Sequence, residues 1–96
     1  KELADVLICA SYSNAFAVIK ALVQMGLRVP IDIGVTGFDD TPLCEKFISP
    51  LTTVQVQKEG MGKEAVARLV DRIQRKDYPK KTELLSVKII ERTSVK

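Results

Sequence analysis

Asp5-Val-Leu-Ile-Cys-Ala10, Ser11-Tyr-Ser-Asn14, Ala15 to Met25 with Gly26, Val29-Pro30-Ile-Asp32 and Ile33-Gly-Val-Thr-Gly-Phe38 follow one another in the stretch whose reading decides the fold. The first segment is an apolar run of strand length. The polar turn after it offers Ser13 or Asn14 as a helix cap, a side-chain oxygen accepting one of the backbone N–H groups that a helix start leaves over. Ala15 to Met25 has neither Gly nor Pro and is of helix length. Gly26 then stands where a helix end needs a left-handed residue. Pro30 pushes Val29 out of helical space and turns the chain back. Ile33 to Phe38 reads as a second apolar strand. Strand, helix and strand with short links make a βαβ unit, hence a parallel sheet with a right-handed crossover. The fold class is α/β, built of parallel-sheet βαβ layers.

Beyond this unit, Asp39-Asp40-Thr41-Pro42 closes the second strand and opens a short helical turn, with Pro42 at the first helical position. Ser49-Pro50 ends that turn, and Leu51-Thr-Thr-Val-Gln-Val56 is β-branched and reads as a strand. Lys58 to Lys76 is helical in pattern, with Met61, Ala65, Leu69 and Ile73 stacked at four-residue spacing. Glu64–Arg68 and Asp71–Arg75 place acid before base on its opposite face. Gly60 and Gly62 lack the Gly-rich run and Lys-Ser/Thr of a phosphate loop, so close helix packing explains them better. Tyr78-Pro79 breaks the helix, and Leu84 to Glu91 forms a last strand.

Composition bounds the function. A chain of 96 residues, 46% hydrophobic and 28% charged, is one small globular domain rather than a disordered segment. It is marginal alone, because short domains bury a modest fraction of their surface. The net charge of +3 comes from basic and acidic residues that interleave, which does not describe a nucleic-acid surface. The local excess at Arg75, Lys76, Lys80 and Lys81 reads as a solvated helix end and turn. Cys9 and Cys44 have no CxxC spacing, and Cys9, inside an apolar run, is expected to be a buried free thiol. The absence of His removes the commonest general base and a common metal ligand. No apolar run approaches the roughly 20 residues of a membrane helix. The expectation is a protein that is not an enzyme, with no cofactor, no metal and no membrane partner.

In open α/β sheets, ligands bind beyond the carboxyl ends of the strands. That rule selects Ser11 and Tyr12 after the first strand, and Asp39 and Asp40 after the second. A carboxylate there can accept two hydrogen bonds from vicinal hydroxyls of a sugar or similar polar ligand. An Asx-turn or helix cap needs only one Asp, and Asp40, beside Thr41-Pro42, suits that role. Asp39 fits either role. Catalysis by the pair is not expected, since adjacent residues of an extended strand point to opposite sides.

The helix from Ala15 to Met25 is more apolar than one sheet face requires. Ser13, Lys20, Gln24 and Arg28 fall in one narrow line, while Phe16, Val18, Val23 and Met25 extend the apolar surface around it. Leu43 and Phe47 in the following loop form a second apolar pair. Either another copy covers these residues, or the loop folds back over the helix within one chain. A homodimer through Phe16, Leu43 and Phe47 is the expectation.

Gly26-Leu-Arg-Val-Pro-Ile-Asp-Ile-Gly-Val-Thr-Gly-Phe-Asp-Asp40, then Thr41-Pro-Leu43 and Ser49-Pro-Leu-Thr-Thr-Val54, resemble the effector-domain signature of LacI/GalR-type transcription repressors. Met61-Gly62 and Glu91-Arg-Thr-Ser94 are similar to the same family's closing elements. The resemblance covers essentially the whole chain and implies part of a two-lobed periplasmic-binding-protein-like fold with the effector in the cleft. It assigns about 1–55 to the C-terminal lobe, about 57–80 to a helix of the N-terminal lobe and about 84–96 to a returning strand, with Val56-Gln57 as one hinge crossing. It also implies a small sugar-like effector bound by Asp39, a cytoplasmic homodimer, and DNA contact only through an N-terminal helix-turn-helix, which this chain does not contain. The family usually has Asn-Asp where this chain has Ser11-Tyr12, and often has Gln where it has Val56. Both departures alter polar contacts to a sugar. The alternative within the same fold is a periplasmic or lipid-anchored solute-binding protein.

Overall fold

The structure is a computed structural model that describes residues 2–75 and 77–96. Its elements run β1 (Val6–Ile8), α1 (Tyr12–Gln24), β2 (Gly34–Thr36), α2 (Leu43–Lys46), β3 (Thr53–Gln55), α3 (Lys58–Gln74) and β4 (Lys88–Ile90). The chain divides into two compact units. One comprises the residues up to Gln55 together with Lys88–Lys96, and the other is Val56–Val87.

In the first unit, β1 and β2 pair in parallel with Leu7 opposite Val35, and α1 makes the crossover between them. β3 and β4 pair antiparallel with Val54 opposite Ile89. A parallel bridge between Thr36 and Thr52 links the two ladders. Ala15, Ile19 and Leu22 recur at i, i+4 and i+7 on α1 and are buried together with Ile33, Val35, Cys44 and Leu51. Each buried Ile or Leu contributes about 1.5–3 kcal/mol relative to exposure, so this cluster stabilises the unit. Cys44 is fully buried and Cys9 only half-buried, both as free thiols, and burial pushes the Cys9 thiol above its ordinary value.

Helix α1 starts earlier than its apolar periodicity suggests. Ser11, not Ser13 or Asn14, is the cap: its backbone is extended and its hydroxyl accepts the Asn14 N–H at 3.2 Å. At the other end Gly26 adopts φ 81°, the Gly26 N–H donates to Val23 O and the Leu27 N–H to Leu22 O. These two bonds form a Schellman motif and satisfy carbonyls that the helix leaves over. Pro42 precedes α2 as its cap rather than filling the first helical position.

Ser94 closes the first unit. It is fully buried, accepts the Thr52 N–H at 2.8 Å and donates its hydroxyl to Val35 O at 2.6 Å. Its own backbone N–H donates to Pro50 O, and its carbonyl accepts the Val35 N–H. One short side chain thus ties β2 to the approach to β3.

In the second unit, α3 runs to Gln74, and Lys76, the expected helix end, lies outside the described residues. The expected Glu64–Arg68 pair forms at 3.0 Å, and Arg68 also reaches Glu83 at 2.6 Å. Arg75 instead stacks its guanidinium over the Tyr78 ring. No described residue of α3 is buried, so Met61, Leu69 and Ile73 lie exposed. Close packing does not account for Gly62, where an added Cβ would meet nothing within 4 Å. The last strand is shorter than expected: residues 84–87 take no strand conformation, and only Lys88–Ile90 pair, with β3. Apolar alternation alone does not make a strand without a partner ladder. Gln57 Nε2 donates to both the carbonyl and the hydroxyl of Ser86 at 2.9 Å, clasping the two ends of this unit.

Candidate functional site

The ends of β1 and β2 meet in the first unit. The Cys9 N–H donates to Thr36 O at 2.9 Å, and the Tyr12 N–H donates to Phe38 O at 3.0 Å. The second bond sets the first turn of α1 against the residue preceding Asp39. Gly37 permits this approach. A Cβ there would stand 2.8 Å from Leu51 Cδ2, 3.2 Å from Ala15 Cβ and 3.3 Å from Tyr12 Cα. Ser11, Tyr12 and Asp39 are therefore gathered at one end of the parallel strand pair. The Ser11 hydroxyl caps α1 and lies 3.2 Å from Ser13 Oγ, so its acceptor capacity is shared with the helix. Tyr12 is half-buried, its ring edge-on to Phe16 at 5.7 Å between centroids.

Asp39 has φ 75°, among the described residues the one non-glycine in the left-handed region. Asp tolerates that region better than most residues because of its short polar side chain. Its N–H donates to Val54 O at 2.9 Å, and the next N–H, of Asp40, reaches the same oxygen at 3.3 Å. This corrects the extended geometry expected for the pair: β2 ends at Thr36, and a bend separates the two carboxylates.

The cap position of α2 is Pro42, without a side-chain cap bond, and the Asp40 carboxylate reaches residues far along the chain. Its Oδ1 accepts from Arg92 Nη1 at 2.8 Å and its Oδ2 accepts from Gln55 Nε2 at 3.3 Å. The same Arg92 nitrogen donates to Leu51 O at 2.9 Å, and Arg92 Nη2 lies 3.8 Å from the Glu45 carboxylate. Both side chains are largely buried, at 13% exposure for Arg92 and 11% for Asp40. The Asp40 hydrogen bond, outweighing the opposing effect of burial, holds the guanidinium still further above its ordinary value. A charge pair this sheltered keeps its strength only while each partner is hydrogen-bonded.

The three residues expected at a dimer interface separate. Phe16 and Phe47 stack within the chain, 4.0 Å between centroids and 17° between planes, so the loop folds back over the helix at that point. Leu43, on α2, is exposed.

The polar turn carrying a left-handed Asp lies beyond the ends of parallel strands, where open α/β sheets commonly bind ligands. Residues 4–95 match the family model of the periplasmic binding protein-like domain. The chain belongs to the periplasmic binding protein-like domain family. Among curated relatives, the HTH-type transcriptional repressor PurR of Vibrio atlanticus is 36% identical over 96 residues, which is all of this chain and 29% of the repressor. Among solved structures, the transcriptional regulator CelR–cellobiose complex superposes with a TM-score of 0.89 at 33% identity, over 95% of this chain and 28% of that one. The lac repressor dimer bound to operator and the anti-inducer ONPF gives a TM-score of 0.87 at 30% identity, over 97% of this chain and 32% of that one. The chain thus spans under a third of the length of these relatives, and they are transcription regulators of the LacI type. The α/β class and the periplasmic-binding-protein-like fold expected from the sequence are borne out.

Within this periplasmic binding protein-like domain, sequence reasoning passed over two residues that shape the site, Arg92 and Ser94. Both sit in the Glu91-Arg-Thr-Ser94 closing element, which the resemblance marked without giving either a role. Arg92 meets Asp40 across 52 positions and Ser94 meets Val35 across 59, separations that no local pattern reports.

Proposed function

We propose that this chain is the effector-binding and dimerisation portion of a LacI-type, DNA-binding transcriptional regulator that senses a small polar molecule such as a sugar. The left-handed turn at Asp39 carries the reading. The strand-end rule and the family resemblance select this residue independently, and Tyr12 and Ser11 stand beside it. The carboxylate accepts ligand hydroxyls, while Tyr12 offers a flat wall on which a sugar face packs. Catalysis has no part in this reading, and the ligand leaves unchanged. DNA contact belongs to an N-terminal helix-turn-helix outside this chain, and the regulator works as a cytoplasmic homodimer. The residues up to Gln55 form the C-terminal lobe, Val56–Val87 supplies a piece of the N-terminal lobe, and the strand from Lys88 returns. The regulators among the relatives, one of them a cellobiose complex, support this over a solute-binding protein.

The test is calorimetry on the full-length protein with cellobiose and a panel of other mono- and disaccharides. Asp39→Ala is expected to weaken effector binding by about 1.5–3 kcal/mol, the scale of hydrogen bonds to a charged group. Unchanged affinity in a folded variant would remove Asp39 from the site.

A further inference from the structure

We propose that Arg92 is a positioning residue for effector recognition, acting through Asp40 to fix the left-handed turn that presents Asp39. This inference rests on the reading of Asp39 given above. Two sets of bonds hold the turn. On the backbone side, Val54 O accepts the N–H groups of both Asp39 and Asp40. On the side-chain side, the Asp40 carboxylate is gripped by Arg92 and Gln55. Arg92 is itself anchored, because Nη1 also donates to Leu51 O and the residue's backbone N–H donates to Thr52 Oγ1 at 2.9 Å. Thr52 returns the bond by donating its hydroxyl to Arg92 O at 3.0 Å. The guanidinium is therefore fixed to the start of β3, and Asp40 is fixed to the guanidinium. Asp39 lies between Asp40 and the end of β2 in a left-handed conformation that Asp tolerates and that the bonds around it select. Loss of Arg92 takes from the sheltered Asp40 carboxylate the 2.8 Å bond that ties it to the approach to β3. Asp40 then turns toward water, and the turn at Asp39 is freed to relax to negative φ. Glu45 adds a second, more distant anion on Arg92 and does not touch the turn.

Amide hydrogen exchange on the full-length protein reads the turn directly and needs no effector. Arg92→Gln is expected to accelerate exchange of the Asp39 amide by on the order of tenfold, and Asp40→Asn, which keeps the shape but not the charge, by less. Ile19→Val, a core change on the buried face of α1, serves as the control for a general loss of stability. The second readout is sugar affinity, measured in a cycle with Asp39→Ala. Arg92→Gln should weaken binding roughly tenfold in the parent protein and add nothing in the Asp39→Ala background, because coupled residues are not additive. Exchange at Asp39 that is no faster in Arg92→Gln and Asp40→Asn than in Ile19→Val overturns the inference. So does a loss of affinity that simply adds to that of Asp39→Ala. Should Asp39→Ala bind as well as the parent, the effector reading itself falls, whatever Arg92 does to the turn.

Discussion

Asp32 accepts three hydrogen bonds from Arg28, one from the backbone N–H at 2.7 Å and two from the guanidinium at 3.0 Å. The side-chain bond, joined by the backbone bond, holds the Asp32 carboxyl below the usual aspartate value. A carboxyl whose folded value is depressed contributes stability above its unfolded value and loses it as the pH falls through the folded one. A carbon-13 titration of the Asp32 carboxyl is expected to give a midpoint below that of an ordinary aspartate. Asp32→Asn should lower stability slightly at neutral pH and leave the acid limit unchanged, so the acid side of the profile flattens by that same small amount, the pair being exposed and screened. Ser94 works at the same scale with larger effect. Ser94→Ala strips the buried Thr52 N–H and Val35 carbonyl of the side-chain bonds they now make. The expected cost is about 1–3 kcal/mol for each polar group left unsatisfied, read as a shift in the urea midpoint. The role of Ser94 is not visible in sequence. Ser is an ordinary surface residue by type, and its burial here depends on partners 42 and 59 positions away.

At the scale of elements, what the sequence disclosed followed how local each cause was. The βαβ order, the Gly26 stop and the Glu64–Arg68 pair rest on residues within one or two turns of each other, and the structure has all three. Ser11, a ligand contact by the strand-end rule, caps α1 in place of its neighbours, because apolar periodicity starts only at Ala15 and hides the first polar turn of α1. The Asp39–Asp40 turn was located, but its left-handed backbone depends on Val54 and Arg92, which no local window contains. The apolar surplus of α1 was likewise legible, and its cover only in part. Phe47 stacks on Phe16 within the chain, whereas Leu43 stays exposed on α2. Leu43→Arg therefore tests the proposed dimer without disturbing the aromatic stack. In the full-length protein it is expected to disfavour association by several kcal/mol, through a charge desolvated without a partner. Sedimentation at micromolar concentration should show monomers that still bind effector, and a persistent dimer would rule out this contact.

At the scale of the whole molecule, large apolar side chains stand exposed in both units. Ile8 and Ile89 stand 85% and 67% exposed, and along α3 Leu69 and Ile73 are 60% and 69% exposed. Isolated apolar side chains on a surface are ordinary, but stripes of them call for a covering partner. Light scattering on the purified chain alone is expected to show self-association, and a cooperative folded monomer would contradict it. The stitches made by Ser94 and Arg92 also impose an order on assembly. Ser94 is translated 59 residues after Val35, and Arg92 52 residues after Asp40. A ribosome that has delivered α1 and β2 has produced a βαβ unit whose open strand edge and turn at Asp39 still lack these bonds. Contacts so distant in sequence close slowly and leave strand edges bare in the meantime. The turn at Asp39 cannot gain its full set of contacts until Arg92 and Ser94 have been delivered, so its geometry is completed by residues made long after the turn itself.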